Sequence, residues 1–126
     1  MTATETTMPR LAVFHQQTPE PVADRPRPER LVHGNPARLT WNHFSSASGE
    51  MSAGLWACEP GAWRIAFAAN KDEFFTVLEG RIRITDAEGS AKEIGPGGAA
   101  VIPAGFTGLF EVLEAVKKYY VVVEHG

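Results

Sequence analysis

From about residue 37 onward, hydrophobic and polar positions alternate in short runs, a pattern with a period of two that is typical of β-strands. In residues 81–86, Ile82 and Ile84 fall on one face and the polar side chains fall on the other. Turns rich in glycine, proline and aspartate separate the runs. The pattern predicts strands at residues 38–44, 52–58, 62–67, 73–79, 81–86, 99–103, 108–113 and 118–124. Many short strands between glycine-containing turns indicate an all-β sandwich or barrel.

The segment at residues 109–118 supports two interpretations. Leu109, Val112, Leu113 and Val116 have the spacing of one face of a helix. The aromatic pair and the valines that follow favour a strand instead. The local pattern favours the helix, and the flanking residues favour the strand.

Residues 1–36 differ from the rest of the chain and predict an extended N-terminal arm, followed by one domain over residues 37–126. Prolines run through residues 16–30 and exclude a helix there, because each lacks an amide donor and restricts the residue before it. Residues 11–15 predict a short strand. We expect the arm to wrap a neighbouring subunit or to be partly disordered.

Composition and charge exclude several classes of function. The net charge is −3, whereas a nucleic-acid-binding face is basic. Arg25, Arg27 and Arg30 form a basic cluster that acidic residues interrupt, which favours a solvated linker over anion or nucleic-acid binding. No signal-peptide pattern and no membrane-spanning run of about 18 apolar residues is present, so we expect no membrane partner. Cys58 is the only cysteine and is interpreted as a small buried hydrophobe, and a chain with no disulfide is expected in the cytoplasm.

Two segments carry a resemblance to a known family. Residues 73–80 read EFFTVLEG, with Glu73 seven positions before a glycine, and residues 97–105 read GGAAVIPAG, with the pattern PxG at its end. These segments resemble the structural parts of the two cupin signatures. Residues 30–124 look like the small cupins related to the cupin part of (S)-ureidoglycine aminohydrolases and of ethanolamine-utilisation proteins. The chain therefore resembles a small single-domain cupin.

The resemblance implies a cupin-type double-stranded β-helix, which is a jelly-roll sandwich with a pocket between its sheets. On this basis residues 109–113 form a strand. In the turn at residues 86–89, Gly89 closes a hairpin, where it can take a positive φ. The resemblance also implies a homodimer.

The resemblance further implies a divalent metal bound by histidines of both signatures and by the glutamate. Here the histidine positions of the first signature correspond to Phe67 and Ala69, or to two alanines one residue earlier, and that of the second corresponds to Gly108. Only Glu73 remains, and one carboxylate is a poor site for a transition metal. His43 could face the pocket, although an exposed or hydrogen-bonded role is the simpler interpretation. We expect no metal and no cofactor.

The pocket is expected to combine aromatic walls with one carboxylate. Its predicted aromatic members are Trp56, Trp63, Phe67, Phe75, Phe110 and Tyr120. Each of them also fits a plain packed core.

Glu73 needs a partner or a proton in such a setting. By resemblance to relatives, which carry a lysine before the aromatic pair of the last strand, that partner is Lys118, with Tyr120 nearby. Glu73 and Lys118 are the candidate catalytic residues. The alternative leaves Lys118 on the surface and Glu73 at a strand end beside Lys71.

Three functions remain open at this point. The first is a metal-free module that binds a small polar molecule. The second is a small enzyme, aminohydrolase- or isomerase-like, that uses Glu73 as a base or as a metal ligand. The third is a non-catalytic interaction protein whose pocket is filled by its own side chains.

Overall fold

Nine strands and two short 3-10 turns make up the protein in a computed structural model that describes residues 8–126. The strands are β1 (Val22–Asp24), β2 (Leu31–His33), β3 (Arg38–Ser45), β4 (Met51–Cys58), β5 (Gly61–Ala66), β6 (Lys71–Asp86), β7 (Ala91–Ile94), β8 (Ala99–Ile102) and β9 (Thr107–Glu124). The turns span Phe14–Gln16 and Pro28–Arg30. The all-β prediction is confirmed.

Two long strands, β6 and β9, organise the sheet. They pair antiparallel over most of their length. The free side of β9 pairs with β4 at one end and with β5 at the other. The free side of β6 pairs with β8 and then with β7. One continuous ladder therefore curls around a common interior, and all neighbouring strands run antiparallel.

The predicted strands at residues 73–79 and 81–86 are one continuous strand, β6. The junction is an irregular step at Gly80, whose φ of +84° suits a residue without a Cβ. The strands predicted at 108–113 and 118–124 are likewise parts of one continuous strand, β9. The helical interpretation of residues 109–118 is wrong, because that segment pairs with strands on both of its sides.

The arm from Met8 onward lies against its own domain. Strand β1 pairs with β3, and β2 pairs with β5. The strand predicted at residues 11–15 is wrong. The chain turns there, and the Phe14 ring stacks on His43 with 4.1 Å between the ring centroids and meets the edge of Tyr119. Residues 1–7 lie outside the described part of the chain, and the wrapping of a neighbouring subunit stays a prediction.

The interior of the curled sheet is apolar. Phe75, Val77, Ile82 and Val116 are its most deeply buried side chains, and they come from the two long strands. Around them pack inward-facing residues of β5, β7 and β8. Trp63, Ile102 and Phe110 belong to this core and also line a cavity inside the barrel. Within residues 8–126, no helix has the length and apolar character needed to cross a membrane.

Candidate functional site

A cavity of about 490 Å³ lies inside the barrel, within the size range of small-molecule sites. Because side chains alternate along a strand, each strand contributes every second residue to its wall. The lining residues are Arg38, Thr40, Asn42, Ser52, Trp56, Trp63, Ile65, Phe67, Lys71, Glu73, Ile102, Phe110, Lys118, Tyr120 and Val122. The filled pocket that the interaction-protein alternative requires is contradicted by this cavity.

A buried ion pair lies in the wall of the cavity. Lys118 on β9 donates from Nζ to Oε2 of Glu73 on β6 over 2.8 Å. The Lys118 side chain is 5% exposed and that of Glu73 is 12% exposed. Within residues 8–126, Oε1 of Glu73 accepts no hydrogen bond from another side chain, so it is available to a bound molecule. The alternative that leaves Lys118 on the surface is therefore wrong.

Three aromatic rings surround the ammonium of Lys118. Its Nζ lies 4.5 Å from the ring centroid of Trp56, 4.4 Å from that of Phe75 and 5.2 Å from that of Phe110. Aromatic faces attract a cation, and the attraction strengthens as water is excluded. The rings and the Glu73 carboxylate together offset the cost of removing this ammonium from water.

Tyr120 adds a phenol to the same wall. Its hydroxyl donates to Oδ1 of Asn42 over 2.8 Å. Burial, and then the negative charge of Glu73, raise the pKa of Tyr120 above its ordinary value of 10.0. The hydroxyl therefore stays protonated near neutral pH and acts as a hydrogen-bond donor rather than as a base.

The other predicted aromatic residues lie as follows. Trp56, Trp63 and Phe110 form one cluster in the cavity wall, with ring centroids 5.0 to 6.3 Å apart. Phe67 lies at the edge of the cavity, where its ring faces Lys71. Phe75 is fully buried behind Lys118 and does not line the cavity. The roles of these residues, and the catalytic roles of Glu73 and Lys118, stay predictions.

Sequence reasoning missed the polar contribution of β3. Arg38, Thr40 and Asn42 occupy alternate positions and face the cavity together. The alternation was visible in the sequence, since these residues are separated by Leu39 and Trp41. A polar face on a strand normally indicates solvent, but in the curled sheet this face of β3 lines the cavity.

The donor set does not fit the metal of the cupin family. The positions of the first-signature histidines hold Phe67 and Ala69, or Ala66 and Ala68 in the other register, and Glu73 is engaged by Lys118. Among residues 8–126, no three His, Cys, Asp or Glu side chains come together as metal ligands would. His43 lies on the opposite face of β3 from the cavity, stacked on Phe14.

Cys58 is an unreactive core residue. It is buried, and its Sγ donates to the backbone carbonyl of Glu59. Burial raises the pKa of its thiol from 9.0 to about 12, with the charges of Arg38 and Lys118 opposing the shift. The thiolate, which is the nucleophilic form, is therefore absent near neutral pH.

Comparison with known proteins supports the fold and the family. The family model described as the EutQ-like cupin domain matches residues 45–120, more than half of the chain. No curated protein sequence matches.

Several solved structures superpose on the chain. A DUF861-family protein of unknown function from Pseudomonas syringae pv. tomato has a TM-score of 0.73 at 21% identity. The match covers 82% of this chain and 43% of that protein, so this chain spans less than half of its length. The EutQ protein of Clostridium difficile has a TM-score of 0.62 at 23% identity and is covered over 75% of each chain. Ectoine synthase from P. lautus has a TM-score of 0.60 at 15% identity, over 69% of this chain and 64% of that one. Identities this low show the fold alone, and the predicted cupin jelly roll is confirmed.

Proposed function

Because this chain belongs to the EutQ-like cupin family, we propose that it uses the cupin cavity to bind a small polar molecule, without the three-histidine metal site of metal-dependent cupins. The single observation that carries the proposal is the buried pair of Lys118 and Glu73 in the wall of a cavity large enough for a ligand. A plain core would be at least as stable with two apolar residues there, because the desolvation of a buried ion pair costs several kcal/mol.

The groups around the pair define the ligand that fits. The indole and phenyl rings of Trp56, Trp63 and Phe110 form an apolar surface for a flat or aliphatic body. Oε1 of Glu73 accepts a hydrogen bond, and the side chains of β3 supply further polar groups. The ligand is thus a small molecule with an apolar body and polar substituents.

The enzyme alternative draws less support from the geometry. Oε2 of Glu73 is held by Lys118, and the raised pKa of Tyr120 leaves its phenol unsuited to take a proton. Conversion of a bound compound, lost in Glu73→Gln while binding persists, would make Glu73 a catalytic base and favour this alternative.

Ligand-observed NMR with a fragment library tests the binding proposal. The test uses a cavity variant, Glu73→Gln with Lys118→Met, and a control variant, Glu79→Gln with Lys117→Met. The control changes an exposed ion pair on the same two strands. We expect fragments that bind the wild type to bind the control equally and to lose at least tenfold in affinity for the cavity variant. Equal binding to all three proteins would exclude the cavity as the binding site.

We also propose that the protein is a cytoplasmic homodimer that pairs through the outer face of its central strands. Phe74 lies between Val101 and Val121 in the ladder, so these three side chains share that face. Phe74 is 44% and Val101 59% exposed, which leaves an apolar surface open on an isolated chain. We further propose a small molecule as the ligand of this dimer, and neither a nucleic acid nor a membrane as a partner.

Light scattering tests the dimer. Phe74→Lys is expected to convert a dimer into a monomer at micromolar concentration. The control is Val22→Lys. It changes an exposed valine of β1, which pairs with β3 and not with the strands of the proposed interface, and this variant should remain dimeric. A wild type that is monomeric, or a control that dissociates equally, would contradict this interface.

A further inference from the structure

A second depression, of about 280 Å³, adjoins the cavity and is lined by basic side chains. The two share five lining residues, including Arg38 and Lys71, so they form one continuous surface. The charged residues that line the depression are Arg27, Arg30, Arg38, Arg64 and Lys71, and within residues 8–126 no carboxylate is among its lining residues. We call this surface the basic depression.

The concentration of charge there is unusual for this chain. Its net charge is −3, yet five of its 12 basic residues line one depression. Like charges held together raise the energy of the fold, so such a cluster is stabilised by an anion. Asp24 neutralises one member, since it pairs with Arg38 over 2.7 Å. Within residues 8–126, the other four members form no salt bridge.

The fold builds this cluster from distant parts of the sequence. Arg27 and Arg30 belong to the arm, where Arg27 precedes the turn at Pro28–Arg30 and Arg30 is its last residue. Strand β2 follows that turn and pairs with β5, which carries Arg64. Lys71 comes from the start of β6. The arm therefore completes the depression.

Aromatic rings orient two of these cations at the junction with the cavity. The guanidinium carbon of Arg38 lies 5.3 Å from the ring centroid of Trp63, and Nζ of Lys71 lies 4.7 Å from that of Phe67. The contact of Lys71 with a ring leaves its N–H donors available to a ligand. Nε and Nη2 of Arg38, in contrast, already donate to the carboxylate of Asp24.

We propose that the basic depression binds a multiply charged anionic group, a phosphate or a dicarboxylate, of a molecule whose apolar body occupies the cavity. This inference rests on the proposed function and adds the chemical class of the ligand. Arginine guanidinium groups match both anions by paired hydrogen bonds, so the two sources share one recognition chemistry.

Three naphthalene probes test the inference by isothermal titration calorimetry with the full chain. They are 1-naphthyl phosphate, naphthalene-1,8-dicarboxylate and the neutral 1-naphthol. At low ionic strength we expect each anion to bind at least tenfold more tightly than the neutral probe. The advantage should shrink as sodium chloride is raised, because salt screens exposed charges. Tighter binding of the phosphate would identify a phosphate ester as the ligand class, and tighter binding of the dicarboxylate a polycarboxylate.

The variant Arg27→Gln with Arg64→Gln removes two cations that do not line the cavity and that form no salt bridge with residues 8–126. We expect it to weaken both anions at least fivefold and to leave 1-naphthol within twofold. The control variant, Arg10→Gln with Lys92→Gln, changes the net charge equally at positions outside both surfaces. It should bind all three probes as the wild type does.

The outcomes separate the two proposals. Anions that bind no tighter than 1-naphthol, or that weaken equally in both arginine and control variants, would overturn the basic depression as an anion site. If the cavity variant still loses 1-naphthol in that case, the proposed function stands. If the cavity variant binds every probe like the wild type, the proposed function fails, whatever the arginine variants do.

Discussion

Removal of either partner of the Lys118–Glu73 pair should destabilise the protein strongly, and removal of both should not. Lys118→Met leaves a carboxylate that is 12% exposed without its cation, and Glu73→Gln leaves an ammonium enclosed by aromatic rings. An uncompensated buried charge costs about 3–5 kcal/mol. Because Glu73 lines a cavity that admits water, we expect the lower end, about 3 kcal/mol, for each single variant.

The double variant should lose less than either single variant. Methionine places an apolar chain of similar length among the three rings, and glutamine carries no charge that needs a partner. We expect its free energy of unfolding to fall by about 1 kcal/mol. This result would also show that the double variant is folded, as its use as the cavity variant in binding measurements requires.

Urea unfolding followed by tryptophan fluorescence measures these differences. With a slope of about 2 kcal/mol per molar urea, each single variant lowers the midpoint by about 1.5 M. The exposed pair of Lys117 and Glu79, whose charged atoms are 3.9 Å apart, is the matched control and should cost less than about 0.5 kcal/mol when removed. Single variants as stable as this control, or a double variant that loses the sum of both singles, would refute the reasoning.

Three further predictions use the same unfolding assay. Gly80 and Gly89 both have positive φ, but a Cβ on Gly80 would lie 2.1 Å from a backbone oxygen of β9, whereas one on Gly89 would meet nothing within 4 Å among residues 8–126. Gly89→Ala should therefore cost about 1–2 kcal/mol and Gly80→Ala at least about 3 kcal/mol, and equal costs would contradict the steric argument. Because the pKa of the Cys58 thiol is raised from 9.0 to about 12 in the folded state, its contribution to stability is complete below pH 9 and is lost as pH rises from 9 towards 12. The free energy of unfolding should fall more steeply over that range in the wild type than in Cys58→Ala, and parallel curves would show that the thiol ionises equally in both states. Tyr120→Phe removes the hydrogen bond to Asn42 and should cost about 1 kcal/mol, and no measurable loss would mean that the bond contributes nothing in solution.

The sequence pattern located most of the sheet because alternation is a local property. Six of the eight predicted strands fall within observed strands, and the other two, 62–67 and 99–103, extend one residue beyond the end of β5 and of β8. The pattern did not show that Gly80 interrupts a strand without ending it, since a glycine between two runs has the same appearance as a turn. It also missed β1, β2 and β7, because strands of three or four residues are too short to show a period.

The candidate site was predictable where the family resemblance or the strand period reached it. Resemblance placed Lys118 beside Glu73, and the structure shows them in contact. The basic depression could not be predicted from the sequence, because Arg27 and Arg64 become neighbours only through the pairing of β2 with β5. The composition of the arm alone is that of a solvated linker, and it gives no sign of this neighbour.

The short strands of the arm also set its local stability. Strands β1 and β2 contribute three residues each, whereas β9 is hydrogen-bonded on both sides along most of its length. Amide hydrogens of β9 should thus exchange with solvent only through global unfolding. Those of β1 and β2 should exchange through separate local openings that require less free energy. Each such opening carries Arg27 and Arg30 away from the rest of their cluster. A molecule bound there would slow exchange in β1 and β2. Because it binds only the folded protein, it would also slow exchange in β9 by raising the free energy of global unfolding.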